Sequence, residues 1–218
     1  MIHLLIPVLG RPQNAQRLAD SIDAATIEPH LTIFLATRYD RPEIEACKAT
    51  GKPVFLVDPG PCEYARKINH GTGCALGVPD FFFLGADDLR FHPGWDTAAL
   101  RVWEQTGKGV IGTNDLGNAT VMRGDHATHS LVHITYLEQG TIDEPGKLLH
   151  EGYDHNYVDT EFIGTAMSRG EWAFAADSHV EHLHPFWQKG PDDLIYKKGR
   201  KTVNKDHRTY NQRQRLWS

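Results

Sequence analysis

Cysteine is scarce in this chain. Cys47, Cys62 and Cys74 are odd in number and show no C-x-x-C spacing. That argues against a disulfide framework or a thiolate zinc site and for a reducing, cytoplasmic setting. Long apolar runs are also missing, since none approaches the ~18 residues of a membrane span. Met1–Gly10 has no basic n-region and no small-residue cleavage site, so it reads as structure, not as a signal. No P-loop, G-x-S-x-G or H-E-x-x-H occurs, which leaves ATPase, serine hydrolase and zincin readings without support. Gly71-Thr-Gly-Cys-Ala-Leu-Gly77 has the wrong spacing for a dinucleotide loop and follows a helix-like stretch where that motif needs a strand. There is no internal repeat and no low-complexity segment.

With 218 residues, 40% of them apolar, the chain can bury one sizeable core. Its net charge of −5 is unevenly spread: Lys197–Ser218 holds eight Lys or Arg against one acid, Asp206, leaving the rest strongly acidic. A solvated helical tail explains such a segment, and so does contact with a polyanion such as DNA.

His3–Leu9 reads as a buried strand, and Gly10-Arg11-Pro12 turns it into a helix carrying Ala15, Leu18, Ile22 and Ala25 at helical spacing. Strands follow at Leu31–Thr37 and Pro53–Asp58, separated by a helix at Pro42–Thr50. A helix at Glu63–Leu76 leads to a fourth strand, Phe81–Gly85. This alternation predicts an α/β fold with a doubly wound, mostly parallel sheet flanked by helices. Right-handed crossovers place the first strand beside the fourth, with a crevice where the winding reverses. A further helix opens at His92-Pro93-Gly94-Trp95, and a fifth strand, Gly109–Thr113, ends in Asn114-Asp115. Leu116–His150 is mixed strand and loop. Helical spacing returns over Tyr153–Arg169, a strand covers Phe174–His184, and Asp206 is positioned to cap a last basic helix running through Trp217.

The chemistry-bearing residues collect at element ends. The fourth strand runs directly into Asp87 and Asp88, where carboxylates are placed to hold a divalent cation. Asp159 sits in the first turn of its helix. Glu161 lies about 200° further round, so the two acids do not share a face. His182 and His184 alternate on one face of their strand.

Taken in order, these segments resemble GT-A-fold, family-2-like glycosyltransferases, most closely a small branch found in actinobacterial phages. Leu5-Ile-Pro-Val-Leu-Gly-Arg-Pro12 resembles that family's first strand and turn, which implies donor contacts from Pro7, Leu9 and Arg11. Asp40 falls where the family holds the nucleotide base. Tyr64-Ala-Arg-Lys-Ile-Asn-His-Gly71 resembles the helix before the metal motif, where Lys67 and Asn69 would approach the donor. Ala86-Asp87-Asp88 corresponds to the D-x-D-type motif with its first acid replaced by Ala86. That leaves Asp88 as metal ligand and Asp87 as a donor contact. Val158-Asp159-Thr160-Glu161 resembles the acidic motif that supplies the catalytic base, with Val158 in its first place. His182 or His184 falls where a histidine completes the metal shell, and Asn114, Asp115 and Glu161 are assigned to the acceptor side.

The resemblance implies a GT-A-like catalytic domain over residues 1–196, with a nucleotide-sugar half (1–115), a smaller mixed acceptor half (116–196) and a basic tail (197–218). It implies transfer from a nucleoside-diphosphate sugar with Mn²⁺ or Mg²⁺, onto a hydroxyl of a modified phage DNA base or a virion protein. Asp159 as a lone base would give inversion. A metal-dependent hydrolase or nuclease, and a nucleotide-sugar binder without turnover, remain open on the residues alone.

Overall fold

The computed structural model describes residues 1–74 and 77–217; the end of the helix expected through Ala75 and Leu76, and Ser218, lie outside the described residues. The elements are β1 (Ile2–Pro7), α1 (Ala15–Ala25), β2 (His30–Thr37), α2 (Arg41–Ala49), β3 (Val54–Val57), α3 (Glu63–Gly73), β4 (Phe81–Leu84) and β5 (Leu89–Phe91). They continue with α4 (Trp95–Thr106), β6 (Val110–Asn114), α5 (Ala119–Met122), β7 (Ser130–His133), α6 (Ile134–Gln139), α7 (Val158–Ser168), β8 (Trp172–His182) and α8 (Leu194–Gln214).

Both faces of the central strands are covered, which is why those strands read as unbroken apolar runs. In β1 the pleat sends Leu4 and Ile6 into one core and Leu5 into the other. In β4 it divides Phe81 and Phe83 from Phe82 and Leu84 in the same way. One core lies under α1 and α4, where Leu18, Ile22, Trp95 and Ala99 are buried. The other lies under α3 and α7, with Ile68, Phe162 and Ile163.

Among the described residues eight strands form one sheet, in the order β3-β2-β1-β4-β7-β6-β8-β5. β1 runs parallel to both β2 and β4, with Ile2 opposite His30 on one side and Phe81 on the other. The expected neighbours are found, so the turn after β1 and the acids after β4 share one edge. β7 then enters antiparallel between β4 and β6. It supplies four residues from the mixed stretch, too few to carry a period of their own. β5 was not expected at all. It follows Asp88 immediately and pairs antiparallel with β8, setting Leu89 opposite His182. That register delivers the C-terminal histidines to the acids.

One expectation for the C-terminal segment is corrected. The helix is capped by Asp193, whose carboxylate accepts from the amides of Ile195 and Tyr196. Asp206 is fully buried inside α8 instead, where its carboxylate accepts from the amides of Asp154, His155 and Asn156. A buried carboxylate needs such partners, and these explain why α7 begins only at Val158. The boundary at 196/197 falls inside α8. This helix is docked on the domain: Arg200 pairs with Asp192, Lys205 with Asp154, and Arg213 with Asp143 and Glu161. Among the described residues no helix is long and apolar enough to cross a membrane.

Candidate functional site

Asp87 and Asp88 are both buried where the chain leaves β4. Two adjacent buried carboxylates are stable only with a cation and hydrogen bonds to offset their desolvation. Arg11 is that cation: its Nη1 lies 2.7 Å from Asp87 Oδ1 and 2.9 Å from Asp88 Oδ2. The Leu9 amide donates to Asp87 Oδ2 at 2.7 Å. Arg11 is fixed from its other side by α8. Its Nε donates to Asp193 at 2.6 Å, and its guanidinium sits 4.5 Å from the centre of the Tyr196 ring. The Tyr196 hydroxyl in turn donates to Asp88 Oδ2.

These surroundings separate the two acids. Burial and the neighbouring Asp88 push Asp87 up to about 6, despite Arg11. Burial works against the Asp88 charge too, but His182, Arg11 and Tyr196 outweigh it and hold that carboxyl well below the usual range. Burial likewise opposes charge on His182, and the Asp88 carboxylate overcomes it and raises its pKa. His182 Nε2 lies 3.5 Å from Asp88 Oδ1, too far for a hydrogen bond. Asp88 Oδ1, His182 Nδ1 and His129 Nε2 are therefore buried polar atoms without partners.

A cavity of about 270 Å³ opens on this cluster, walled by Leu9, Arg11, Asp88, His129, His182 and His184, and by Tyr157, Asp159, Trp187 and Tyr196. A second, of about 260 Å³, shares Leu9, Tyr64 and His155 with it and reaches Asp40, Lys198 and Thr202. Gly10 lines the second. Its φ of 77° is left-handed, and a Cβ there would come within 3.1 Å of Ile195 on α8.

Asp159 enters the first cavity from the first turn of α7. Its Oδ1 accepts from the Thr160 amide at 2.9 Å, and its Oδ2 lies 3.2 Å from His126 Nε2. Burial disfavours its charge, but His126 and the Thr160 amide lower its pKa below the ordinary value, so it is ionised at neutral pH. Tyr157, immediately before α7, has a left-handed φ of 67°. Its ring is stacked by His207 and tilted against Tyr210, both of α8.

The structure thus brings Leu9, Arg11, Asp88, Asp159, His182 and His184 together at one cavity, with Asp87 directly behind Arg11 and Asp40 in the adjoining cavity. It sends others elsewhere. Pro7 is buried in β1 opposite Leu35. Lys67 is fully buried and spends its charge on the Val8 carbonyl, Asp40 and Glu63, bracing the crevice from below. Asn69 staples a loop, donating to the Leu149 carbonyl and Glu151 and accepting from the amides of Leu148 and Leu149. Asn114 donates to the Ala176 carbonyl, and Asp115 binds the amides of Gly117 and Asn118. It is Asn118, not these two, that lines the cavity. Glu161 does not line this cavity: it is buried on α7, gripped by the Tyr153 hydroxyl and the Arg213 guanidinium.

Sequence reasoning missed Tyr196, His126 and His129. Asp193 ahead of Leu194-Ile195-Tyr196 is a helix-cap signal that places Tyr196 in a first turn. Nothing local marks the two histidines.

Asp88 Oδ1, without a hydrogen-bond partner, and the His182 imidazole, whose Nε2 lies 3.5 Å from it, are the oxygen and nitrogen donors that would suit a divalent ion such as Mn²⁺ or Mg²⁺. His184 fits less well, because its Nδ1 accepts from the Phe186 amide. Among the described residues the one compact Asp/Glu/His trio lies elsewhere, at Asp143, Glu144 and His150, with its acids already paired to Arg213 and Lys147.

No protein-family model matches the chain, and no curated protein matches it. Solved structures do. The Staphylococcus aureus TarS fragment 1–349 in complex with UDP superposes with a TM-score of 0.61 at 10% identity, over 82% of this chain and 59% of that one. The mannosyltransferase PcManGT from Pyrobaculum calidifontis, in complex with GDP-Man and Mn²⁺, gives 0.70 at 11% identity over 97% and 64%. Glucosyl-3-phosphoglycerate synthase from Mycobacterium tuberculosis, in complex with phosphoglyceric acid, gives 0.62 at 14% over 93% and 77%. The chain spans less than two thirds of the length of the first two. Its mostly parallel sheet, flanked by helices and built around β1 and β4, has the α/β architecture of the GT-A glycosyltransferases.

Proposed function

We propose that this chain transfers a sugar from a nucleoside-diphosphate sugar to an acceptor hydroxyl, with inversion at the anomeric carbon. The observation that carries this reading is the meeting, in one cavity at the carboxyl edge of the sheet, of a metal-competent acid and an ionised base. Asp88 comes from the end of β4 and Asp159 from the start of α7. The complexes of similarly folded proteins with UDP and with GDP-Man and Mn²⁺ support a nucleotide sugar as the ligand.

Asp88 and His182 would hold a divalent ion. Such an ion supplies charge neutralisation for the departing diphosphate. Arg11, ion-paired with Asp87, Asp88 and Asp193, holds the Asp88 carboxylate in place. Asp159 takes the acceptor proton as the hydroxyl oxygen attacks, a role worth typically ~10²–10⁴-fold. Glu161, the other acid of that turn, is locked away by Tyr153 and Arg213, so one base serves one displacement.

For the acceptor, the exposed charge of α8 favours a polyanion such as a modified DNA base in its duplex. Three of the eight cations from Lys197 to Arg215 are spent on ion pairs, leaving Lys197, Lys198, Lys201, Arg208 and Arg215 available among the described residues. Binding of hydroxymethylated DNA that weakens with salt would support this; salt-independent binding would remove it.

The primary test is thermal. At ~100 times its dissociation constant a ligand stabilises by ~2.7 kcal/mol, or roughly 5–10 °C at this chain length. At least one of UDP, GDP, ADP and TDP with Mn²⁺ is expected to produce that shift. The absence of any shift across the set would overturn the reading.

A further inference from the structure

Asp159 is ordinarily a poor base, and what stands behind it decides how it works. His126 lies in the loop between α5 and β7, largely buried and outside the cavity wall, with Nε2 3.2 Å from Asp159 Oδ2. The other carboxylate oxygen is held by the Thr160 amide at 2.9 Å. Two donors on opposite oxygens fix the plane of the carboxylate and leave its remaining lone pairs facing the cavity. One donor is a backbone amide and cannot change. The other is an imidazole, which donates Nε2–H whether neutral or charged.

We propose that His126 is a positioning residue for Asp159: it aims the carboxylate into the cavity, and its own charge sets how readily that carboxylate accepts a proton. The proposal rests on the transfer reading above. In the step concerned, the acceptor O–H bond breaks and its proton passes to Asp159. The oxygen electron pair forms the bond to the anomeric carbon, and the bond to the diphosphate breaks with its electron pair leaving on the diphosphate. With His126 charged, the imidazolium stabilises the carboxylate and weakens it as a base. With His126 neutral, the same hydrogen bond persists without that penalty.

Two acids face His126. Asp159 comes from α7, and Asp115, from the loop after β6, adds its charge through space. On its own loop Asp125 is taken up by Arg123 at 3.0 Å. Burial disfavours the imidazolium, yet the two facing acids outweigh it and raise the His126 pKa above its ordinary 6.5. The switch between the two states therefore lies above the ordinary imidazole value.

The test combines kinetics with a titration that needs no turnover. Turnover of the full chain should climb with pH as His126 loses its proton. His126→Ala should lower kcat about tenfold or more with KM within threefold. His126→Gln keeps an N–H donor without a titrating charge, so it should recover much of that loss and flatten the acid limb. A His126→Gln profile that retains the wild-type limb overturns the proposal. Separately, the His126 ring followed by NMR should titrate above 6.5 and drop by at least half a unit in Asp159→Asn; an unchanged titration overturns it too. If wild-type protein turns over no donor, the transfer reading falls on that result, and the ring titration alone decides whether the pair is coupled.

Discussion

Tyr196 donates its hydroxyl hydrogen to Asp88 across 108 residues of sequence, and the oxygen it reaches is the one that Arg11 also holds. The candidate metal ligand is thus fastened by the first turn of the last helix. Tyr196→Phe keeps the ring over Arg11 and removes only the hydrogen bond. A hydrogen bond to a charged group is worth about 1.5–3 kcal/mol, so calorimetry should find the variant's Tm lower by roughly 3–12 °C. An unchanged Tm would mean that Arg11 alone satisfies Asp88.

Asp88→Asn should abolish the metal-dependent part of the nucleotide-induced thermal shift while leaving any metal-independent part. The comparison is a melting series with nucleoside diphosphate in Mn²⁺ or in EDTA. A variant that keeps the full Mn²⁺ increment would remove Asp88 as a ligand.

Asp159→Asn should leave that thermal shift in place and cut turnover at least a hundredfold, in line with the ~10²–10⁴-fold worth of a positioned base. Donor-panel assays of sugar release and transfer measure it. Retained turnover would take the base assignment away from Asp159.

Arg213→Met strands the buried Glu161 carboxylate. Breaking a buried ion pair on one side costs about 3–5 kcal/mol, which at 2–4 °C per kcal/mol is a Tm drop of roughly 6–20 °C. Adding Glu161→Gln should recover a large part of it, since the amide needs no counter-charge. A double variant no more stable than the single one would place the cost elsewhere, in Asp143 or in α8 packing.

Stability should also respond to acid through His129. Burial and the neighbouring His182 push its imidazole down to about 4, whereas the unfolded chain protonates near ~6.5. Between those values the unfolded state binds more protons, so unfolding free energy falls as pH drops from about 6.5 towards 4 and this contribution then levels off. The full span is on the order of 3 kcal/mol. His129→Asn, which can still donate to the Leu84 carbonyl, should lose that component. Urea unfolding of both proteins in EDTA across the range measures the difference, and parallel curves would exclude His129 as its source.

The parts of this molecule that were legible in the sequence are those whose cause is local. β1 and β4 announced themselves because a strand covered on both faces has to be apolar at every position, and Asp87-Asp88 because they end one. Asp159 was visible from a first-turn carboxylate on a helical period. The partners of Lys67 and Asn69 were not legible, because spacing puts the two near the crevice but cannot say which groups they bond: Val8, Asp40 and Glu63 in one case, the 148–151 loop in the other. Asp206 was mistaken for a cap because capping is the commonest use of an aspartate near a helix start; the amides it binds lie some fifty residues earlier. His126 was silent for the same reason, and the cap at Asp193 placed Tyr196 in a first turn without showing what its hydroxyl reaches. Each acquires its role only from a partner brought up by long-range strand pairing and helix docking.

The Asp206 grip on residues 154–156 has a consequence for the order in which the molecule can be assembled. His155 and Asn156 wall the cavity, and the amides that position them are held by a carboxylate deep in α8. A nascent chain emerging from the ribosome can build the sheet from β1 to β8 and still lack a finished pocket. The acids, the base and the histidines are all synthesised by then, but the clasp that closes around them is made afterwards. On the proposed function, a chain cut before Asp206 would carry those groups without the carboxylate that sets His155 and Asn156 in the cavity wall.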